Sequence, residues 1–154
     1  MRNLINFVGF QLVWFACVLS AAAGRQWIGF SVFAAVIVLH MALTSNRRLE
    51  ARLLLGAALL GAFAEWTMTA IGALRFDGLF MVALWVNFAA TLRWALAWLQ
   101  GRYVLGSVLG AVAGPLSYLG GERLGAISVH QPLAVAVEWA IATPLLLWLA
   151  KEKT

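Results

Sequence analysis

The sequence predicts an all-α polytopic membrane protein, a transmembrane helical bundle of six spans, on three observations. Hydrophobic residues make up 64% of the 154-residue chain and charged residues only 11%. The apolar residues gather into six runs divided by short polar breaks, and the basic residues collect at the ends of those runs. A soluble domain has about a quarter of its residues charged, because its surface faces water. Too few charges are present here to cover such a surface, so the solvent for most of this chain is lipid. The mean hydropathy of +0.91 agrees.

The first run, residues 4–23, follows Arg2 and ends in Ala21-Ala22-Ala23, as a secretory signal does. Its length, and the Asn6, Gln11 and Trp14 within it, suit a retained helix better. The second run, 27–43, follows the break Gly24-Arg25-Gln26. The third, 53–73, follows Arg47-Arg48-Leu49-Glu50-Ala51-Arg52, a short cluster of mixed sign that reads as an exposed cytoplasmic loop. The fourth, 79–99, begins after Arg75-Phe76-Asp77-Gly78, and the fifth, 103–119, after Gln100-Gly101-Arg102. A longer break, 120–132, precedes the sixth, 133–150. Each run is near the ~20 residues needed to cross ~30 Å of hydrocarbon. The breaks leave no room for a separate extramembrane domain, so residues 1–154 form one transmembrane domain.

Arg2, Arg47, Arg48, Arg52, Arg102, Lys151 and Lys153 fall on one side of these spans, and Arg25, Arg75 and Arg123 on the other. That asymmetry predicts both termini in the cytoplasm. Trp27, Trp98, Tyr103, Tyr118 and Trp148 fall near the expected interfaces, as an aromatic belt does. The net charge of +5 is explained by topology and not by nucleic-acid binding.

Self-comparison suggests an internal repeat. Ser31, Val32, Ala35 and Val36 of the second span match Ser107, Val108, Ala111 and Val112 of the fifth. Glu65-Trp66 of the third span matches Glu138-Trp139 of the sixth, and Asn6-Phe7 has a looser counterpart in Asn87-Phe88. Two halves of three spans each, about 1–74 and 75–154, would enter the membrane in opposite directions. The expectation is therefore a 3+3 inverted-topology repeat, as in many secondary transporters, with a site near the midplane.

Charged and polar groups within spans are costly and face one another or a wet cavity. Glu65 and Asn87 are placed ~3 Å, and Glu138 ~4–5 Å, to the outer side of the span centres, with Arg93 and Gln11 ~4–6 Å to the inner side. A candidate ligand- or proton-binding site follows: Glu65, Glu138, Arg93, Asn87, Trp66, Trp139 and Gln11. With one Arg for two carboxylates, one carboxylate should be protonated or neutralised by a bound cation. Carboxylates beside tryptophans could also hold an organic cation. Structural packing through the same groups is the competing explanation.

Gly106, Gly110 and Gly114 form a tandem GxxxG, suited to a contact within the chain, with a homodimer as the other use. Cys17 is the single cysteine, so no intramolecular disulfide or Cys-based zinc site is expected. His130 stands without a ligand cluster, and no catalytic, metal or cofactor motif is present.

Asn6-Phe7, Phe10-Gln11 and Trp14-Phe15, with Gly120-Gly121-Glu122-Arg123-Leu124-Gly125-Ala126, resemble a family of small Gram-negative inner-membrane proteins that carries a domain of unknown function. The resemblance covers the whole chain and implies an inner-membrane location but no catalytic residues. Members of that family accompany lipid-modifying enzymes, which implies a lipid-related role by association. Three functions are expected to compete: a proton-coupled carrier of a cationic or amphiphilic small molecule, an accessory or lipid-binding partner of membrane-lipid modification, and a structural or assembly protein.

Overall fold

Three helical hairpins, each turned by a glycine, build the bundle. The computed structural model describes residues 2–151. Lys153, grouped above with the inner basic residues, lies outside them. The helices are α1 (Arg2–Ala22), α2 (Gln26–Leu43), α3 (Arg47–Ala70), α4 (Phe80–Ala89), α5 (Tyr103–Arg123) and α6 (Pro132–Ala150). Two short strands, β1 (Leu74–Phe76) and β2 (Ile127–Val129), follow α3 and α5. All of the helices except α4 are long and apolar enough to cross a membrane. The protein is a membrane protein of the all-α class.

α1, α3 and α5 end alike. Gly24, Gly72 and Gly125 take positive φ values of 67°, 70° and 83°. The next residue in each case donates its N–H back into the last turn, from Arg25 to Ser20, Ala73 to Met68 and Ala126 to Gly121. This is the Schellman arrangement, which satisfies carbonyls left over at a helix end and needs a residue that tolerates the left-handed region.

β1 and β2 pair antiparallel, with Leu74 opposite Val129, Arg75 opposite Ser128 and Phe76 opposite Ile127. Numbered from their glycine caps the two strands are equivalent, so a local two-fold axis passes through the Arg75–Ser128 pair. α3 and α5 both run towards this pair and α4 and α6 both run away from it. The axis therefore lies along the helices. At this strand pair the hairpin α3-β1-α4 corresponds to α5-β2-α6. The packing agrees: α5 lies along α6 and α3 along α4 and α6, whereas α2 does not lie along α3. Ser31 and Ser107, matched in sequence, also do different jobs. Ser31 bonds its own helix at Trp27 O, 2.9 Å. Ser107 donates to Ala140 O, 2.7 Å, the carbonyl that Pro144 cannot serve because it has no N–H.

The fourth span departs most from expectation. α4 is helical for 10 residues, about 15 Å, half of the hydrocarbon thickness. Residues 90–101 then follow as turns, with a 3-10 segment at Ala97–Leu99. Neither proline nor glycine marks the break; hydrogen bonds from two side chains, one in α1 and one at the segment's own end, hold it. Asn6 donates to Ala90 O at 3.1 Å and accepts from the Ala95 N–H at 3.3 Å. Gln100 donates to Leu92 O at 3.0 Å. Non-helical backbone at membrane depth persists only where protein supplies such partners.

α3 also differs, beginning at Arg47 rather than near residue 53. Asn46 caps it, accepting the Leu49 N–H at 3.2 Å, and the cluster expected as a loop becomes its first turns. The tandem glycines of α5 are buried against α6: Gly106 faces Leu147, Gly110 faces Thr143, and Gly114 faces the Trp139 ring. These glycines serve the intramolecular contact.

Candidate functional site

Two buried polar clusters occupy the bundle, and four of the expected site residues divide between them. The first lies where α3, α4, α5 and α6 meet. Gly61 of α3 and Gly114 of α5, equivalent relative to their caps, leave room for indoles, Gly61 for Trp85 and Gly114 for Trp139. A β-carbon at either glycine would collide with its ring. The two indoles stack at 4.4 Å with 23° between planes. Phe88 meets Trp139 edge-on at 5.2 Å, and Tyr118 does so at 6.3 Å.

Glu65 is set into this aromatic frame and is 3% exposed. Its Oε1 accepts the Trp85 indole N–H at 2.8 Å and the Tyr118 hydroxyl. Tyr118 holds the position in α5 that Glu65 holds in α3, so the pair bonds across the pseudo-two-fold axis. Glu138 of α6 is 8% exposed and lies within electrostatic reach of both Glu65 and Tyr118. Neither Glu138 oxygen has a hydrogen-bond partner among the described residues, and Glu65 Oε2 has none either. Glu65 is five residues from the end of α3 and Glu138 six from the start of α6, about 8–9 Å along the helices from the β pair. The longer α3 moves Glu65 further from its helix centre than the sequence placed it.

The second cluster lies at the opposite end. Glu50, fully buried at 0% exposure, bonds His40 Nε2 at 2.7 Å and Arg93 Nη1 at 3.3 Å. The His40 ring packs on Trp94 at 4.8 Å, and the Arg2 guanidinium lies 4.8 Å over the same indole. Arg93 therefore pairs with Glu50 and bonds neither Glu65 nor Glu138, correcting its expected role as their counter-charge. Glu50 escaped notice because its neighbours Arg47, Arg48 and Arg52 are exposed.

Other expected members move out of the site. Trp66 is 67% exposed and packs on Phe63 at the lipid-facing surface; a residue next to a buried Glu on a helix points about 100° away. Asn87 donates to Phe10 O at 3.0 Å, tying α4 to α1. Gln11 is half-buried on α1. Of the expected set the structure brings together Glu65, Glu138 and Trp139, and adds Trp85 and Tyr118. Tyr118, assigned to the interfacial belt from sequence, is buried. Among the described residues no three His, Cys, Asp or Glu side chains gather as a metal site requires.

Comparison with known proteins gives the family without a chemistry. Residues 3–145 match the family described as "Protein of unknown function (DUF2878)". No curated protein and no solved structure matches the chain. The chain belongs to this family of unknown function.

Proposed function

We propose that this protein is a small carrier of the bacterial inner membrane, with both termini cytoplasmic, that couples the movement of a cationic or amphiphilic small molecule to proton binding at Glu65 and Glu138. One observation carries the reading: Glu138 is buried in the bundle with no hydrogen-bond or ion-pair partner for either oxygen among the described residues. An ionised carboxylate in that position costs several kcal/mol, and a purely structural bundle has no reason to retain it. Packing accounts for Asn6 and Asn87, which bond backbone carbonyls, but not for Glu138. The orientation rests on the basic side chains Arg47, Arg48, Arg52 and Arg102, which cluster at the end away from the β pair.

The test is reconstitution into liposomes with a pH gradient and tetraphenylphosphonium as the probe cation. Gradient-driven accumulation is expected for the native protein, and Glu65→Gln and Glu138→Gln should each abolish it. Full accumulation by both variants would sink the carrier reading.

A second reading, an accessory or lipid-binding partner of lipid modification, has its own observation. An apolar groove of ≈ 460 Å³ on the α5–α6 surface is lined by Tyr103, Ala140, Ile141, Pro144, Leu145 and Trp148. Native mass spectrometry showing a copurified lipid that Ile141→Trp displaces would favour it over transport.

A further inference from the structure

We infer that the species bound at the carboxylate pair is a single proton, that Glu138 holds it, and that Glu65 is the fixed anion beside it. The inference deepens the carrier reading by naming the coupling ion and the residue that binds it, and rests on that reading for the ion's use.

The two carboxylates have unequal surroundings. Glu65 Oε1 accepts from both Trp85 and Tyr118. Two donors are what a carboxylate anion requires, since when ionised it only accepts. Neither Glu138 oxygen accepts a hydrogen bond among the described residues. As an anion it would be an uncompensated buried charge beside a second one. As an acid it has an O–H to donate, and Glu65 Oε2 is a buried acceptor still lacking a donor. One proton therefore removes the uncompensated charge, whereas none leaves two buried anions and a second would neutralise a carboxylate that already has two donors.

The titratable groups facing Glu138 are Glu65 from α3 and Tyr118 from α5. α4 presents only the Trp85 and Phe88 rings to this cluster. Tyr118 already donates to Glu65, and Arg93 is engaged with Glu50 at the other end.

Other cations fit worse. A hard metal ion takes about six to eight oxygen ligands, or six in near-octahedral geometry. Three carboxylate oxygens are free here, and the neighbouring helical carbonyls serve the backbone ladder. An organic cation needs an open aromatic face, but the Trp85 and Trp139 rings cover one another at 4.4 Å.

The exchange balances simply. The Glu138 O–H bond breaks, its electron pair stays on the carboxylate, and the proton passes to solvent. Two buried anions then share the site, with one charge more than the donors can satisfy. Return of a proton relieves it, so the site alternates between one proton and none.

The test is infrared difference spectroscopy between acidic and alkaline buffers on the purified protein in lipid nanodiscs. The native protein should show one buried protonated-carboxyl stretch that disappears in alkali and shifts in D₂O. Glu138→Gln should lose the band, Glu138→Asp should keep it at an altered frequency, and Glu65→Gln should keep it shifted. The Asp variant retains an acid and so guards against a folding loss in the Gln variant. A band that survives in Glu138→Gln, or one lost in Glu65→Gln alone, would overturn the assignment, as would no such band in the native protein. An intact band with no probe accumulation in liposomes would instead overturn the carrier reading and leave the proton site standing.

Discussion

Glu50 shows how far a single residue's meaning depends on its turn of helix. In sequence it is one acid among three arginines; in the fold the arginines point outward and it points in, joining His40 of α2 to Arg93 of the unwound segment. Removing one partner of a buried ionic cluster strands the others. Glu50→Ala should therefore lower stability by about 3–5 kcal/mol, read as an earlier unfolding midpoint in detergent, while exposed Arg48→Ala changes little. Tyr118→Phe removes one donor from Glu65 and should cost about 1–2 kcal/mol in the same assay. The buried carboxylates Glu65 and Glu138 were legible from sequence because Glu is rare within apolar runs. Trp66 was misplaced because adjacency in sequence was taken for adjacency in space, and a helix turns neighbours apart.

Most elements could be read from hydropathy, since five apolar runs became long helices. The exception is the fourth. Its run continues through Ala89, Ala90, Thr91 and Leu92, with no local breaker, so nothing in its own residues announces the change at Ala90. The cause lies some eighty residues away (Asn6 is in α1), and a tertiary cause leaves no mark on a local pattern. Asn6→Ala should accordingly speed amide exchange at Ala95 and its neighbours and leave α5 and α6 protected, as hydrogen–deuterium exchange would show. If exchange across residues 90–96 were unchanged, Asn6 would not be what holds them. The α5–α6 seam gives a second expectation. Gly110→Leu forces a side chain onto Thr143 and the Trp139 carbonyl, costing about 1–3 kcal/mol or more. Because this face is turned inward, the variant should lose stability with no change in oligomeric state by light scattering.

At the scale of the whole molecule, the correspondence of α3-β1 with α5-β2 was not legible in the sequence. The matches Glu65-Trp66 and Glu138-Trp139 drew attention to triplets of spans. The structural frame instead aligns Gly72-Ala73-Leu74 with Gly125-Ala126-Ile127, two capping glycines each followed by a short strand. In that frame Glu65 corresponds to Tyr118, a difference in residue type that self-comparison discards. Pairing of the strands can be checked directly. Antiparallel partners have α-carbons about 4.5–5.5 Å apart, within the span of a disulfide. Arg75→Cys with Ser128→Cys, in a Cys17→Ala background, should crosslink under mild oxidation, and Arg75→Cys with His130→Cys should do so far less. Equal yields would argue against this register.

The strand pair also bears on how the chain is made. A glycine-capped hairpin can enter the bilayer as a unit as soon as its second helix leaves the ribosome. β1 emerges early, with its N–H and C=O groups unmatched, and its partner strand is not synthesised until α4 and α5 have followed. The clasp is thus an event that follows the arrival of α5. A nascent chain halted before β2 would hold all of the residues that contact Glu65 from α4 and none from α6, so the carboxylate pair is assembled only after α6 has been made.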